Sequence, residues 1–194
     1  MKESVRQAAK NMEQYMRTNG GIVGLPTGFQ QLDKMTNGLR PGNMPVIAAR
    51  PSMGKTALLL NIAENIMLKT KGKVLIFSAE MGDVELAERL LYARSGVSRS
   101  SLTKNEVEAS KDDVARIKCA MKELAGAPIV IDDTAITIDQ LRAKARRVKH
   151  RHPDLRAVFV DYLQQLKSNN PQAKNSRERE IADISGSLKR LPRN

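Results

Sequence analysis

From residue 22 onward, apolar positions follow two alternating rhythms. Short unbroken apolar runs at 46–49, 73–78, 129–132 and 157–161 read as strands. Between them lie segments of helical period. One spans 55–69, with Leu58, Leu59, Ile62, Ala63 and Ile66 on one face. Others span 84–95, 112–124, 138–150 and 177–191, and the third of these five places Cys119 among core positions. Apolar strands without polar alternation, separated by helices, predict an α/β fold. Its parallel sheet is buried on both faces, with right-handed crossovers. Residues 22–45 are turn-rich, through Leu25-Pro26-Thr27-Gly28, Asn37-Gly38 and Arg40-Pro41-Gly42, with a short helix expected at 29–35.

A separate stripe precedes this. Val5, Ala8, Ala9, Met12 and Met16 line one face of a helix predicted over 2–17, and Thr18-Asn19-Gly20-Gly21 breaks it. The chain therefore divides into a linker helix and joint, 1–21, and a main unit, 22–194. Such a helix folds back onto its own domain or docks on another copy. Residues 168–175 are polar and read as a mobile loop.

Composition narrows the setting. No apolar run approaches the roughly 20 residues of a membrane span, and the first residues lack a signal peptide's apolar core. A single cysteine among 194 residues forms no internal disulfide, which suits a cytoplasmic protein. The formal net charge of +12 favours a polyanionic partner, of which nucleic acid is the usual one.

The chemistry concentrates between a strand and a helix. Ala49-Arg50-Pro51-Ser52-Met53-Gly54-Lys55-Thr56 has P-loop spacing, with alanine in place of the first glycine. Backbone N–H groups of 49–57, the last from Ala57, and the positive end of a helix can surround phosphate oxygens. Gly54 allows close approach, Lys55 reaches terminal phosphates, and Thr56 offers a hydroxyl to Mg²⁺. A metal-side carboxylate is also needed at a strand end. Asp132 or Asp133 after one strand and Asp161 after another both qualify. Glu80, just past the strand 73–78, is the candidate general base for water, and Arg89 a candidate phosphate contact. Arg142, Lys144, Arg146, Arg147, Lys149 and Arg151 form the densest basic run. On a helix, Leu141, Ala145 and Val148 would face the sheet and the cations solvent. His150 and His152 lack partners at zinc-ligand spacing.

The sequence resembles hexameric replicative DNA helicases of the DnaB family, bacterial or bacteriophage. The resemblance is carried by Gly24-Leu25-Pro26-Thr27-Gly28-Phe29 with Leu32-Asp33, by the 49–56 loop, by Phe77-Ser78-Ala79-Glu80-Met81 and by Val160-Asp161-Tyr162-Leu163-Gln164. It implies a partial RecA-like P-loop ATPase motor domain that uses ATP and Mg²⁺. Lys55 and Glu80 would be catalytic, Asp161 and Thr56 on the metal side, and Arg89 near the nucleotide. It further implies a hexameric ring joined through residues 2–17, single-stranded and forked DNA as partners, and primase and a helicase loader in the parent protein. Met44-Pro45 departs from the family's apolar strand. The family's later strands, with a phosphate-sensing glutamine, DNA-binding loops and an arginine finger, are expected beyond residue 194, so weak hydrolysis by this chain alone is expected. A recombinase-like or clock-like ATPase and a non-catalytic nucleotide-binding assembly module are the alternative functions.

Overall fold

Every residue from Val74 to Ser78 is buried, which makes Lys73–Ser78 (β1) the centre of the protein. A computed structural model describes residues 5, 6, 9, 12, 13, 21–99, 110–135, 137–173 and 176–191. In it, β1 pairs in parallel with Ile129–Asp132 (β2) on one side and Leu155–Asp161 (β3) on the other, in the order β2-β1-β3. The ladder aligns Phe77 with Asp132 and Ser78 with Asp161, so all three strands end at one edge. Ligands bind at the carboxyl edge of such sheets.

Strand geometry sends alternate side chains to opposite faces, and β1 divides the core accordingly. Val74 and Ile76 join a cluster with Ile62, Ala63 and Ile66 of Lys55–Thr70 and with Leu86 and Leu90 of Asp83–Ser95. Leu75 and Phe77 join Ile138, Leu141 and Ala145 of Ile138–Arg151 and Ile184 and Leu188 of Arg177–Lys189 on the other face. In chain order the helices are Gln30–Thr36 (α1), Lys55–Thr70 (α2), Asp83–Ser95 (α3), Lys111–Ala125 (α4), Ile138–Arg151 (α5) and Arg177–Lys189 (α6). The predicted two-faced parallel sheet is present. β1 and β2 match their predicted bounds, β3 starts two residues earlier, and the predicted helices shift by one or two residues at their ends.

Local signals explain where two helices begin. Thr137 accepts from the Gln140 N–H, and the Gln140 side chain accepts from the Thr137 N–H, a capping box that starts α5. Ser110 accepts from the Asp112 N–H at 3.1 Å and starts α4. Just before α5, the Thr134 N–H and hydroxyl both donate to Asp132 Oδ1.

Four expectations change. Residues 46–49 form no strand, and Val46 and Ile47 are 65% and 43% exposed. Among the described residues no strand or bridge pairs with the run, so its apolarity alone does not make it a strand. Cys119 is exposed rather than in the core, because α4 turns Ala120 inward instead. Ser168, expected in a mobile loop, is 1% exposed: its hydroxyl donates to Asp183 at 2.6 Å and its N–H to Glu180 at 3.0 Å. On α5 not every cation faces solvent. Arg142 is half-buried, its Nε without a partner among the described residues, and Lys144 turns back to Asp132.

The helix predicted over 2–17 and the break at 18–21 fall mainly outside the described residues. Of that helix, Val5, Arg6, Ala9, Met12 and Glu13 are described as helical and exposed. Lys174 and Asn175 of the polar loop also lie outside them. No helix among the described residues is long and apolar enough to cross a membrane.

Candidate functional site

The loop before α2 turns through two left-handed residues. Ser52 sits at φ 62 and Gly54 at φ 82, and the Met53 N–H donates to the Arg50 carbonyl at 3.3 Å. A left-handed conformation costs a residue other than glycine about 1–2 kcal/mol, a cost concentrated at functional sites. A Cβ at Gly54 would meet nothing within 4 Å among the described residues. Space does not explain that glycine; its backbone angle and the open approach to its peptide do.

Gly54 caps α2 with no side-chain hydrogen bond, and the first turn of α2 holds no acidic residue. Both features leave the positive helix end available to an anion. By contrast, Asp83 and Glu85 occupy the first turn of α3. The residues present therefore suit a polyphosphate: unclaimed amides, a lysine, a hydroxyl and a clear path.

Two side chains from α2 converge on one carboxylate. Thr56 Oγ1 donates to Asp161 Oδ2 at 2.6 Å, and Lys55 Nζ lies 3.7 Å from Asp161 Oδ1. The Asp161 side chain is only 4% exposed against 30% for Lys55. Sequence order left two candidate strands for this carboxylate, and the fold brings Asp161 to the loop. A hydroxyl and a carboxylate side by side are a hard-oxygen pair suited to Mg²⁺ with its waters. The Ala79 N–H donates to the Asp161 carbonyl at 2.8 Å, carrying the pairing past the end of β1. Glu80 follows at this same edge, exposed and without a hydrogen bond or ion pair among the described residues. Tyr162, joined to Asp161 by a cis peptide bond, lays its ring under Lys55, with Nζ 4.1 Å from the ring centroid. The sequence motif contains Tyr162 but assigns it no role; contact between distant segments reveals one.

Other candidates lie apart from this cluster. Arg89 pairs with Glu85 at 3.2 Å on the exposed face of α3, and among the described residues no ion pair joins it to the loop. Asp132 pairs with Lys144 at 2.7 Å, on the strand that lies across β1 from β3. An open hollow of about 550 Å³ lies over α5, lined by Thr134, Asp139, Gln140, Ala143, Lys144 and Arg147, and shares no residue with the phosphate loop.

Partial burial pushes the Asp132 carboxyl up, yet hydrogen bonds from Lys144 and Thr134 with the Lys144 charge outweigh it and hold the pKa below the ordinary value. The folded protein then binds fewer protons here than the unfolded chain. The resulting stabilisation is complete above about pH 4 and is lost as pH falls through the lower folded value. Asp132→Asn is expected to destabilise more at neutral pH than near pH 2, measured by denaturant unfolding at both. An equal loss at both would contradict this assignment.

Comparison with known proteins adds an independent line. Residues 24–194 match the family described as DnaB-like helicase C terminal domain. Across its whole length the chain is 38% identical to replicative DNA helicase DnaC of Bacillus subtilis and 39% identical to replicative DNA helicase DnaB of Geobacillus stearothermophilus, spanning 42% of each. Among solved structures, an ATPase domain superposes with a TM-score of 0.85 at 31% identity, over 98% of this chain and 66% of that one. A DnaB-like replicative helicase, solved in a study of its interactions with primase, gives 0.84 at 31% identity, over 100% of this chain and 45% of that one. With its three-stranded parallel sheet between helices, the fold is RecA-like, and the chain belongs to the DnaB-like helicase C-terminal domain family.

Proposed function

We propose that residues 22–194 are part of the ATP-hydrolysing motor of a hexameric replicative DNA helicase and that residues 1–21 are its linker. The single observation that carries this reading is the convergence of Lys55 and Thr56 on Asp161 beneath an uncapped helix end. Backbone N–H groups of the 49–57 loop would bind the phosphates, and Lys55 would leave Asp161 to reach the terminal ones. Thr56 and Asp161 would hold Mg²⁺, and Glu80 would orient water and accept its proton. Bound there, Mg-ATP supplies the phosphoryl group and a divalent counter-charge. An exposed ion pair such as Arg89–Glu85 is worth only about 0–1 kcal/mol, so Arg89 can turn toward bound phosphate.

The parent's partners follow from the family and the surface. The net charge of +12 suits single-stranded and forked DNA. Val5 and Met12, 62% and 70% exposed, suit docking of the linker on a neighbouring subunit in a ring. Primase and a helicase loader are further proposed partners of the longer protein, acting in the cytoplasm.

Calorimetric titration of this chain with Mg-ATP tests the reading. Lys55→Ala is expected to weaken binding by at least about tenfold, since a hydrogen bond to a charged group contributes about 1.5–3 kcal/mol. Unchanged affinity would remove the loop from nucleotide binding.

A further inference from the structure

We propose that Tyr162 is a positioning residue for Lys55: its ring gives the ammonium a resting place with which an entering polyphosphate must compete. This rests on the nucleotide-binding reading of the loop. A cation within about 6 Å of an aromatic centroid is drawn to the electron-rich face. Lys55 Nζ, at 4.1 Å from the Tyr162 centroid and 3.7 Å from Asp161 Oδ1, is held between ring and carboxylate.

The ring is itself fixed. Gln165 Nε2 donates to the phenol oxygen at 3.1 Å. The short 3-10 turn Leu163–Gln165 between them is closed by the Leu166 N–H on the Leu163 carbonyl. Leu166, 1% exposed, anchors that turn in the core. Lys55 therefore rests on a rigid aromatic surface at the metal-side carboxylate.

Two contacts hold Lys55 down, and only one is lost when the ring goes. Tyr162→Leu is expected to tighten Mg-ADP binding by about two- to fivefold, because the lysine leaves a weaker resting state. Tyr162→Phe keeps the ring face and should match the parent. The sign separates positioning from structural damage, since a disturbed loop would bind more weakly.

A spectroscopic readout is available, because the chain has three tyrosines and no tryptophan. In a Tyr15→Phe, Tyr92→Phe background, Tyr162 is the only strong emitter. Magnesium tripolyphosphate, which lacks an absorbing base, should change that emission as Lys55 leaves the ring. The decisive experiment combines this titration with Mg-ADP calorimetry on the parent chain, Tyr162→Leu and Tyr162→Phe, each checked for folding by circular dichroism. Tighter binding for Leu only, with changed emission, is the expected result. Weaker or unchanged binding by folded Tyr162→Leu, or emission unaltered at saturation, overturns the role of Tyr162 and leaves nucleotide binding standing. If the parent chain binds neither ligand, the two readings fall together.

Discussion

Replacing Glu80 by glutamine is expected to cut ATP turnover by about 10² to 10⁴ while leaving nucleotide affinity within about twofold. The amide keeps the size and hydrogen-bonding reach of the carboxylate but cannot accept a proton from water. Position supports the assignment: Glu80 lies two residues past Ser78, which pairs in register with Asp161. Availability supports it too, because Glu80 has no ion pair or hydrogen bond among the described residues to surrender. The two carboxylates after β2 are weaker candidates for this role, on one count each. Asp132 is committed to Lys144. Asp133 lies near this loop, with Oδ2 3.9 Å from where a Cβ on Gly82 would sit, but it follows β2 rather than β1. Single-turnover hydrolysis with protein in excess measures even slow chemistry. Glu80→Gln should abolish the signal and Asp133→Asn should spare it. Equal turnover by Glu80→Gln and the parent chain would remove Glu80 from the mechanism, and a loss confined to Asp133→Asn would move the role there.

Parts of the candidate site are legible in sequence. Gly54, Lys55 and Thr56 are, because a phosphate loop is a local device whose spacing is written in consecutive residues. The carboxylate proposed for the metal side is not, on residues alone. Asp132 and Asp161 both end apolar strands that flank β1, and only their long-range contacts distinguish them: Asp161 meets Lys55 and Thr56, and Asp132 meets Lys144. The resemblance favoured Asp161, and the contact from Thr56 agrees. The place of Tyr162 was invisible for a related reason, since its partner lies more than a hundred positions earlier in the chain.

Period and burial explain the remaining misses. The run 46–49 is apolar, but apolarity cannot distinguish an exposed extended segment from a paired strand; a neighbour must complete the ladder. On α4 a stripe of helical period was visible, yet its phase depends on packing against α3. Inward Ala120 beside outward Cys119 is a rotation that composition does not fix. Lys144 sits in a run that reads as a solvated face, and Asp132, twelve residues earlier, draws it back. In each case the local pattern is compatible with more than one placement, and packing or pairing with the rest of the fold decides among them.

Asp33→Ala is expected to destabilise the protein by about 3–4 kcal/mol, although Asp33 lies outside the phosphate loop. Its carboxylate, in a residue 2% exposed, accepts from the Thr27 N–H at 2.8 Å, the Thr27 hydroxyl at 2.7 Å and the Gly28 N–H at 3.1 Å. Truncation leaves the two Thr27 donors buried and unpaired, since Thr27 is only 1% exposed. The turn they fix is pressed against α2. Gly28 adopts φ 91, and a Cβ there would fall 2.2 Å from Asn65 Nδ2 on that helix. The Thr27-Gly28…Asp33 motif therefore braces the helix that presents Lys55 and Thr56. Asp33→Asn, which keeps one acceptor oxygen, should lose about half as much. Urea unfolding gives the stability of each variant, and Mg-ADP titration under folding conditions gives its affinity. A bracing role predicts a large fall in the first and little change in the second. A stability loss below about 1 kcal/mol would mean that water replaces the carboxylate, whereas loss of affinity in a fully folded variant would place Asp33 in the binding machinery itself.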